Sequence, residues 1–263
     1  VYKRQPFTLD KEDQDPNFVT TNSGSKIIDN YFITNHYLDQ SVKEFFDYLK
    51  KSGLYDNTAV VLYGDHYGIS NTDAKYLAPI LGKDESQWSD LDNANLQRVP
   101  FMIHVPGMTD GYIDHTFGGE IDVAPTLEHL LGITTQRYIQ FGQDLLSKQH
   151  EQIVAFRNKD WITPQFASLA GRYWNVQTNQ MITEPTPELQ KTLDGIQAAV
   201  NEKLDMSDSL NQKNLLRFYT PEGFKSVDAN KFDYSKRATI KRLQEQNKTL
   251  GKASKSLFAK NGN

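Results

Sequence analysis

The sequence predicts an α/β protein, in which helices surround a mainly parallel central sheet and a small C-terminal α+β subdomain follows. Three observations support this class. Helical and strand patterns alternate over residues 1–152, the strands there are uninterrupted apolar runs, and after residue 152 they give way to short strand patterns separated by polar turns. Alternating helices and strands are typical of α/β folds, and continuous apolar strands are typical of sheets covered on both faces.

The first predicted element is an amphipathic helix over residues 27–52, after a polar, turn-rich segment. Apolar residues recur there at steps of three and four, which places them on one helix face. These residues are Ile28, Tyr31, Phe32, Leu38, Val42, Phe45, Phe46 and Leu49. Lys50 and Lys51 suit the negative end of the helix dipole, and Gly53 predicts where the helix ends.

Two buried strands and a second helix are predicted next. Residues 58–63 and 99–105 are apolar runs bounded by polar or turn-forming residues, as buried strands usually are. Residues 122–131 form the predicted helix, with Asp122 as its candidate N-cap and Gly132 as its stop.

The pattern changes near residue 153. Short antiparallel strands are predicted between residues 153 and 182, and helices are predicted over 187–204 and 210–219. We therefore divide the chain into an α/β part (1–152), a small α+β subdomain (153–224) and a basic, loosely ordered tail (225–263).

The charge of the chain is unevenly distributed. Residues 225–263 contain ten Lys or Arg and three Asp or Glu, a net charge of +7, which leaves −11 on residues 1–224. An acidic body argues against nucleic acid as a partner, whereas the tail either contacts an anionic surface or polymer or is simply solvated. The chain has no cysteine, which excludes disulfides and thiolate chemistry, and no apolar run approaches 18 residues.

The stretch VLYGDHYGIS (61–70) holds the most conspicuous polar pair. Asp65 and His66 directly follow a buried strand, and ligands of open α/β sheets collect at the carboxyl ends of strands. Gly64 is expected to let the backbone turn sharply, so that the two side chains converge. They could bind Zn²⁺ or Mn²⁺, or Asp65 could orient His66 as a catalytic base. The simplest alternative is a turn cap beside a surface histidine.

An ordered set of motifs resembles one known family. YGDHYGIS resembles the metal-binding strand end of the alkaline phosphatase and sulfatase superfamily, and the closest resemblance is to the lipoteichoic acid synthase family. The motifs occur in family order over most of residues 6–224: GLYDNTAVVLYGDHYGIS, VPFMIHVPG, GGEIDVAPTLEHLLGI, FGQDLLS, VAFRN and LLRFY. The resemblance implies a sulfatase-like fold for the α/β part.

The resemblance also implies an activity. In that family a threonine nucleophile attacks phosphatidylglycerol, diacylglycerol leaves, and glycerol phosphate passes to a growing polymer at the outer face of a Gram-positive cell membrane. A divalent cation takes part, usually Mn²⁺, with Mg²⁺ and Zn²⁺ as alternatives. Asp65 and His66 match two of its ligands. The implied partners are phosphatidylglycerol, the glycerol phosphate polymer and, through an N-terminal region, the membrane.

The resemblance leaves other parts of the family's site unmatched. It places the nucleophilic threonine, a glutamate ligand and the membrane helices upstream of Val1, and a substrate-binding histidine where VYKRQ stands. We therefore expect a domain truncated at its N-terminus, with residues 1–5 foreign or misread. We also expect this domain to bind metal weakly, to be inactive alone and, in the cell, to be membrane-anchored or released after processing.

Further residues are weaker candidates. His115, Tyr67 and Arg157 are possible substrate contacts, although Arg157 is better suited to a structural ion pair, and Thr126 is expected to be structural. Two other functions stay open. One is a sulfate or phosphate ester hydrolase of the same superfamily, and the other is a non-catalytic module that binds anionic cell-wall polymer through the basic tail.

Overall fold

The structure, a computed structural model, describes residues 8–135 and 137–251. The expectations about residues 1–5 and about the end of the tail, 252–263, lie outside the described residues. The α-helices are α1 (Lys26–Ser52), α2 (Ala74–Leu77), α3 (Asp90–Asn95), α4 (Val123–Leu130), α5 (Pro187–Gln212) and α6 (Lys236–Leu250). The strands are β1 (Val60–Tyr63), β2 (Phe101–His104), β3 (Val154–Ala155), β4 (Trp161–Ile162), β5 (Phe166–Leu169), β6 (Arg172–Asn175) and β7 (Gln180–Ile182).

Helix α1 forms and ends as predicted. Gly53 adopts a left-handed conformation with φ of 69°, and its N–H reaches the carbonyl oxygens of Leu49 and Lys50. Glycine meets this conformation without the steric cost that a side chain would carry. Lys50 and Lys51 lie in the last turn, where positive charge suits the exposed carbonyl groups.

The α/β part contains helices and a sheet, as predicted. The sheet was predicted to be mainly parallel, and within the described residues that prediction is wrong. Strands β1 and β2 form a two-stranded antiparallel sheet in which Val60 faces His104 and Tyr63 faces Phe101. The N–H of Gly64 bonds the carbonyl of Pro100 at 3.1 Å, so the chain enters β2 beside the point where it left β1. A parallel pair would need a crossover that returns to the opposite end of the sheet.

The start of α4 differs from the prediction. Asp122 is already helical and does not cap α4, because its carboxylate accepts the N–H of Gly119 instead (2.9 Å). Residues 120–122 form a 3-10 turn that leads into the helix. Gly132 follows the helix with φ of 69°, as expected of a C-terminal stop.

The short strands after residue 153 are antiparallel, as predicted. They form a five-stranded sheet in the order β3-β4-β5-β6-β7, so each strand pairs with its neighbour in sequence. Trp161 of β4 faces Ser168 of β5, and Ala167 of β5 faces Trp174 of β6. Consecutive pairing needs only short turns, which the polar segments supply.

Alternate side chains of a strand point to opposite faces of the sheet. A helix covers each of these two faces. On one face, Ala167, Leu169 and Trp174 pack with Leu91 and Ala94 of α3. On the other face, Trp161 packs with Leu193 and Val200 of α5, and all three are buried. Helix α3 belongs to the α/β part, so it connects that part to the antiparallel sheet.

The helical part of the C-terminal subdomain also differs from the prediction. The two helices expected over 187–204 and 210–219 are one helix that runs to Gln212, followed by a 3-10 turn over Leu215–Phe218. The break occurs at Asn214, which is left-handed with φ of 49°. Asparagine tolerates this conformation better than most residues. None of the helices in the described part of the chain combines the length and the apolar character that crossing a lipid bilayer requires.

The buried carboxylate of Asp92 leads to a pH prediction. Burial raises the pKa of Asp92, but hydrogen bonds from Lys83 and Ser89 outweigh burial and lower it below 3.8. These bonds favour the folded state above pH about 3.8, and the advantage is lost as the pH falls through the lowered pKa. We expect Asp92→Asn to reduce the free energy of unfolding by about 1–3 kcal/mol at pH 7. Urea unfolding at pH 7 and pH 3 should show this difference shrinking in acid. A constant difference would contradict the prediction.

Candidate functional site

Asp65 and His66 lie in the loop that leaves β1, at the surface. Their side chains are 88% and 69% exposed. Because β2 runs antiparallel to β1, this loop lies beside the segment that enters β2. The pair therefore occupies the strand end that the sequence predicted, although the neighbouring strand runs in the opposite direction.

Two glycines border the pair, and each permits a close approach. A Cβ atom on Gly64 would lie 2.8 Å from Cβ of Val99, and a Cβ atom on Gly68 would lie 2.0 Å from the hydroxyl oxygen of Tyr31. Real Cβ atoms essentially never come so close. Gly64 is not left-handed, so its role is to let β2 approach, not to provide the sharp turn expected from the sequence.

The hydrogen bonding of His66 determines which ring nitrogen is available. Nδ1 lies 2.7 Å from the carbonyl oxygen of Tyr67, so Nδ1 carries the proton and donates it. Nε2 then bears the lone pair, and it lies 3.7 Å from Oδ1 of Asp65. Histidines that bind metals commonly hold their second ring nitrogen in this way.

The donor atoms suit a divalent cation. Ligand distances of about 2.1 Å allow two donor atoms on one ion to lie up to about 4.2 Å apart, so a 3.7 Å separation is within reach of a single ion. Imidazole nitrogen and carboxylate oxygen are suitable ligands for Zn²⁺ and Mn²⁺. Within residues 8–135 and 137–251, no cluster of three or more His, Asp or Glu side chains is placed to hold a metal ion.

The three predicted substrate contacts have different surroundings. The Tyr67 ring is 45% exposed and meets His66 edge-on, with the ring centroids 6.4 Å apart. His115 is exposed in the loop after β2. Arg157 lies between β3 and β4, and its guanidinium bonds Asp208 of α5 at 2.5 Å. Of the three, the structure brings only Tyr67 against the Asp65–His66 pair.

A buried polar cluster, which the sequence did not predict, surrounds Asp122. His150 is 4% exposed, and its Nε2 lies 3.4 Å from Oδ2 of Asp122. Nδ1 of His150 accepts the N–H of Gln152 (3.0 Å), so the proton is on Nε2 and is donated to Asp122. Thr126 is 1% exposed, and its hydroxyl donates to the Asp122 carbonyl and accepts the Leu145 N–H. Thr126 is therefore structural, as expected.

A second histidine environment lies in the first half of α1. Nε2 of His36 is 2.9 Å from Oδ2 of Asp15, and the ring stacks on Phe18 at 4.2 Å. A cavity of about 40 Å³ lies beside these residues. That volume suits water and is far too small for a lipid headgroup, so we assign this region a structural role.

The contact between Gly68 and Tyr31 can be tested by a double-mutant cycle. Gly68→Ala should reduce the free energy of unfolding by about 1–3 kcal/mol, because the new methyl group overlaps the Tyr31 ring. In a Tyr31→Leu background the same change should cost much less, since the shorter side chain leaves room. Gly111→Ala is the matched control, because its Cβ atom would meet nothing within 4 Å. Urea denaturation measures all four variants; equal costs of Gly68→Ala in both backgrounds would contradict the proposed overlap.

Comparison with known proteins shows consistent likenesses. The sequence profile of the family described as Sulfatase matches residues 2–133. Lipoteichoic acid synthase 2 of Bacillus subtilis (strain 168) is 45% identical over 231 residues, which cover 88% of this chain and 34% of that protein. The lipoteichoic acid synthase of Staphylococcus aureus (strain USA300) is 38% identical over 229 residues, covering 87% and 34%. The chain thus spans about a third of the length of these relatives.

A solved structure supports the fold. The crystal structure of the lipoteichoic acid synthase LtaP from Listeria monocytogenes matches with a TM-score of 0.60 and 28% sequence identity. The match covers 81% of this chain and 51% of that chain. The likeness confirms the predicted α/β class and its sulfatase-like character.

Proposed function

The chain belongs to the sulfatase family, and on that premise we propose that it forms part of the active domain of a lipoteichoic acid synthase. The reaction would transfer glycerol phosphate from phosphatidylglycerol to a growing polymer at the outer face of the cell membrane. The single observation that carries the proposal is the likeness to lipoteichoic acid synthases at 38–45% identity over most of the chain.

Within that activity we assign Asp65 and His66 to a divalent cation, with Mn²⁺ as the first candidate and Mg²⁺ or Zn²⁺ as alternatives. When bound, the cation would neutralise phosphate charge and lower the pKa of a nucleophilic hydroxyl. Tyr67 contributes its carbonyl oxygen, which holds the proton on Nδ1 of His66 and leaves Nε2 directed toward Asp65. Gly64 and Gly68 keep this loop close to Val99 and Tyr31.

The remaining assignments concern substrate. The exposed Tyr67 ring is next to the metal pair and is suited to contact a glycerol or phosphate group there. His115 is available from an exposed loop. Arg157 would have to leave Asp208 to bind phosphate, which makes it the weakest of the three. Thr126 does not serve as the nucleophile, because its hydroxyl is buried and bonded on both sides.

A chimera tests the proposal. The segment of Bacillus subtilis lipoteichoic acid synthase 2 that matches this chain would be replaced by this chain, and the product incubated with phosphatidylglycerol and Mn²⁺. Release of diacylglycerol together with growth of the glycerol phosphate polymer supports the transferase. Release of free glycerol phosphate without polymer growth would favour the hydrolase of the same superfamily instead. A chimera that folds but releases no diacylglycerol would contradict both.

We also propose that the isolated 263-residue chain binds metal weakly and does not turn over phosphatidylglycerol. Two protein ligands leave most of the coordination shell to water, so a dissociation constant for Mn²⁺ of about 0.1–1 mM is expected, as at weak protein sites. The dissociation constant can be measured by titrating the chain with Mn²⁺ and following free Mn²⁺ by electron paramagnetic resonance. Micromolar affinity would contradict the two-ligand assignment, and diacylglycerol release by the isolated chain would contradict its inactivity.

A further inference from the structure

Helix α6 carries a basic stripe for which the proposed activity gives no role. Arg237, Lys241 and Lys248 follow one another at steps of four and seven residues. At about 100° per residue, these steps place them within about 40° of each other around the axis, and the stripe extends for about 16 Å. All three residues are exposed.

The stripe is not neutralised by neighbouring acids. Lys241 lies 4.0 Å from Glu245, and both side chains are mostly exposed (78% and 63%), so the pair is loose. In the part of the chain that the structure describes, no acidic side chain pairs with Arg237 or Lys248. Arg242 lies on another face and donates to the carbonyl of Asp233.

The remainder of the protein carries the opposite charge. Residues 1–224 have a net charge of −11, against +7 on residues 225–263. An anionic ligand is therefore repelled by most of the molecule and attracted to its C-terminal segment.

The shape of α6 favours a linear ligand over a lipid surface. A helix that lies on a bilayer buries a broad apolar face, usually with aromatic residues, and basic residues flank that face. Apart from the small Ala238, the apolar residues of α6 are Ile240, Leu243 and Leu250, with no aromatic side chain. Ile240 lies roughly 80° from the middle of the basic stripe, and Leu243 and Leu250 lie roughly 140–160° from it, so the stripe and a broad apolar face do not share one side of the helix.

We propose that the Arg237–Lys241–Lys248 stripe binds a linear phosphodiester polymer, the glycerol phosphate chain. The choice of this polymer rests on the proposed function, while the preference for a linear polyanion rests on the helix itself. The stripe would retain the polymer near the domain through charge-assisted contacts to successive phosphates. The expected binding is salt-dependent and requires neither a metal ion nor turnover.

Two variants of equal charge test the stripe. Arg237→Gln with Lys248→Gln removes one Arg and one Lys from the stripe, and Lys236→Gln with Arg242→Gln removes the same from other faces of α6. Glutamine supports helices nearly as well as the residues it replaces, and far-ultraviolet circular dichroism checks this. Fluorescence anisotropy with deacylated poly(glycerol phosphate) at 50 and 200 mM salt should show about tenfold weaker binding for the first pair. The second pair should change affinity less than twofold.

Several outcomes would contradict the proposal that the stripe binds the polymer. Equal weakening by both pairs would mean bulk charge attraction, and absence of binding by the full chain at 50 mM salt would mean no site. Equal or tighter binding to phosphatidylglycerol vesicles or to single-stranded DNA would mean a different partner. Asp65→Ala should leave binding of the polymer unchanged. Loss of polymer binding in this variant would mean that the polymer binds at the Asp65–His66 loop instead. Because the binding measurement needs no turnover, it gives the same result whether or not the transferase proposal is correct.

Discussion

Replacing Asp65 by alanine in the chimeric synthase should lower the rate of diacylglycerol release by about a thousandfold, which corresponds to about 4 kcal/mol of transition-state stabilisation. Asp65 and Nε2 of His66 are the only donor atoms that we assign to the cation. Removing the carboxylate takes away one of the two ligands that this chain would supply, which weakens the hold on a divalent ion at millimolar concentration. His66→Ala should have a similar effect.

The double variant separates a shared role from independent roles. If both residues bind one cation, Asp65→Ala with His66→Ala should be hardly worse than either change alone, because groups that act as a unit are not additive. Asp39→Ala is the matched control, since it removes another exposed carboxylate, from α1, and should change the rate less than twofold. Rates within tenfold of the parent chimera for Asp65→Ala would contradict the assignment.

A metal titration gives a second measurement. Binding of Mn²⁺ to the isolated chain should disappear in both Asp65→Ala and His66→Ala and persist in Asp39→Ala. The unfolding midpoints of the Asp65 and His66 variants should match that of the parent, because both side chains are largely exposed. A fall in activity that accompanied unfolding would instead point to a structural role.

Asp122→Ala should reduce the free energy of unfolding by about 3–5 kcal/mol. Its carboxylate is 6% exposed and accepts hydrogen bonds from the N–H of Gly119 (2.9 Å) and of Gln143 (2.7 Å). His150 supplies a third donor at 3.4 Å. Alanine leaves three donors, part-buried or buried, without an acceptor, which costs more than the loss of the bonds themselves.

The surroundings of Asp122 leave little room for compensation. A Cβ atom on Gly142 would lie 2.0 Å from the carbonyl oxygen of Ile121, so the segment after α4 packs directly on the backbone before it. Asp122 therefore connects segments that lie far apart in sequence.

Urea unfolding followed by circular dichroism measures the Asp122 effect. Asp122→Asn should lower the free energy of unfolding less than Asp122→Ala does, because an amide keeps one acceptor oxygen. His150→Ala should lower it less in an Asp122→Ala background than in the parent protein, because the two side chains share one contact. Asp110→Ala is the control, since that exposed side chain should change stability by less than about 0.5 kcal/mol. A cost below 1 kcal/mol for Asp122→Ala would show that the cluster is not stabilising.

The amino-acid sequence by itself determined the local elements, the position of the polar pair and the family. The step of three and four residues predicted α1, and Gly53 predicted its end because glycine meets the left-handed conformation at little cost. Apolar runs located β1 and β2, and Asp65 and His66 lie after β1 as predicted. These features depend on residues close together in sequence.

The tertiary structure alone decided what depends on distant partners. It set β2 antiparallel to β1, because an apolar run is the same whichever way its neighbour runs. It also made Asp122 an acceptor for His150, 28 residues away, where the sequence suggested only a helix cap. Periodicity reports which face of an element is buried but not what covers it, so such pairings become visible only when the chain is folded.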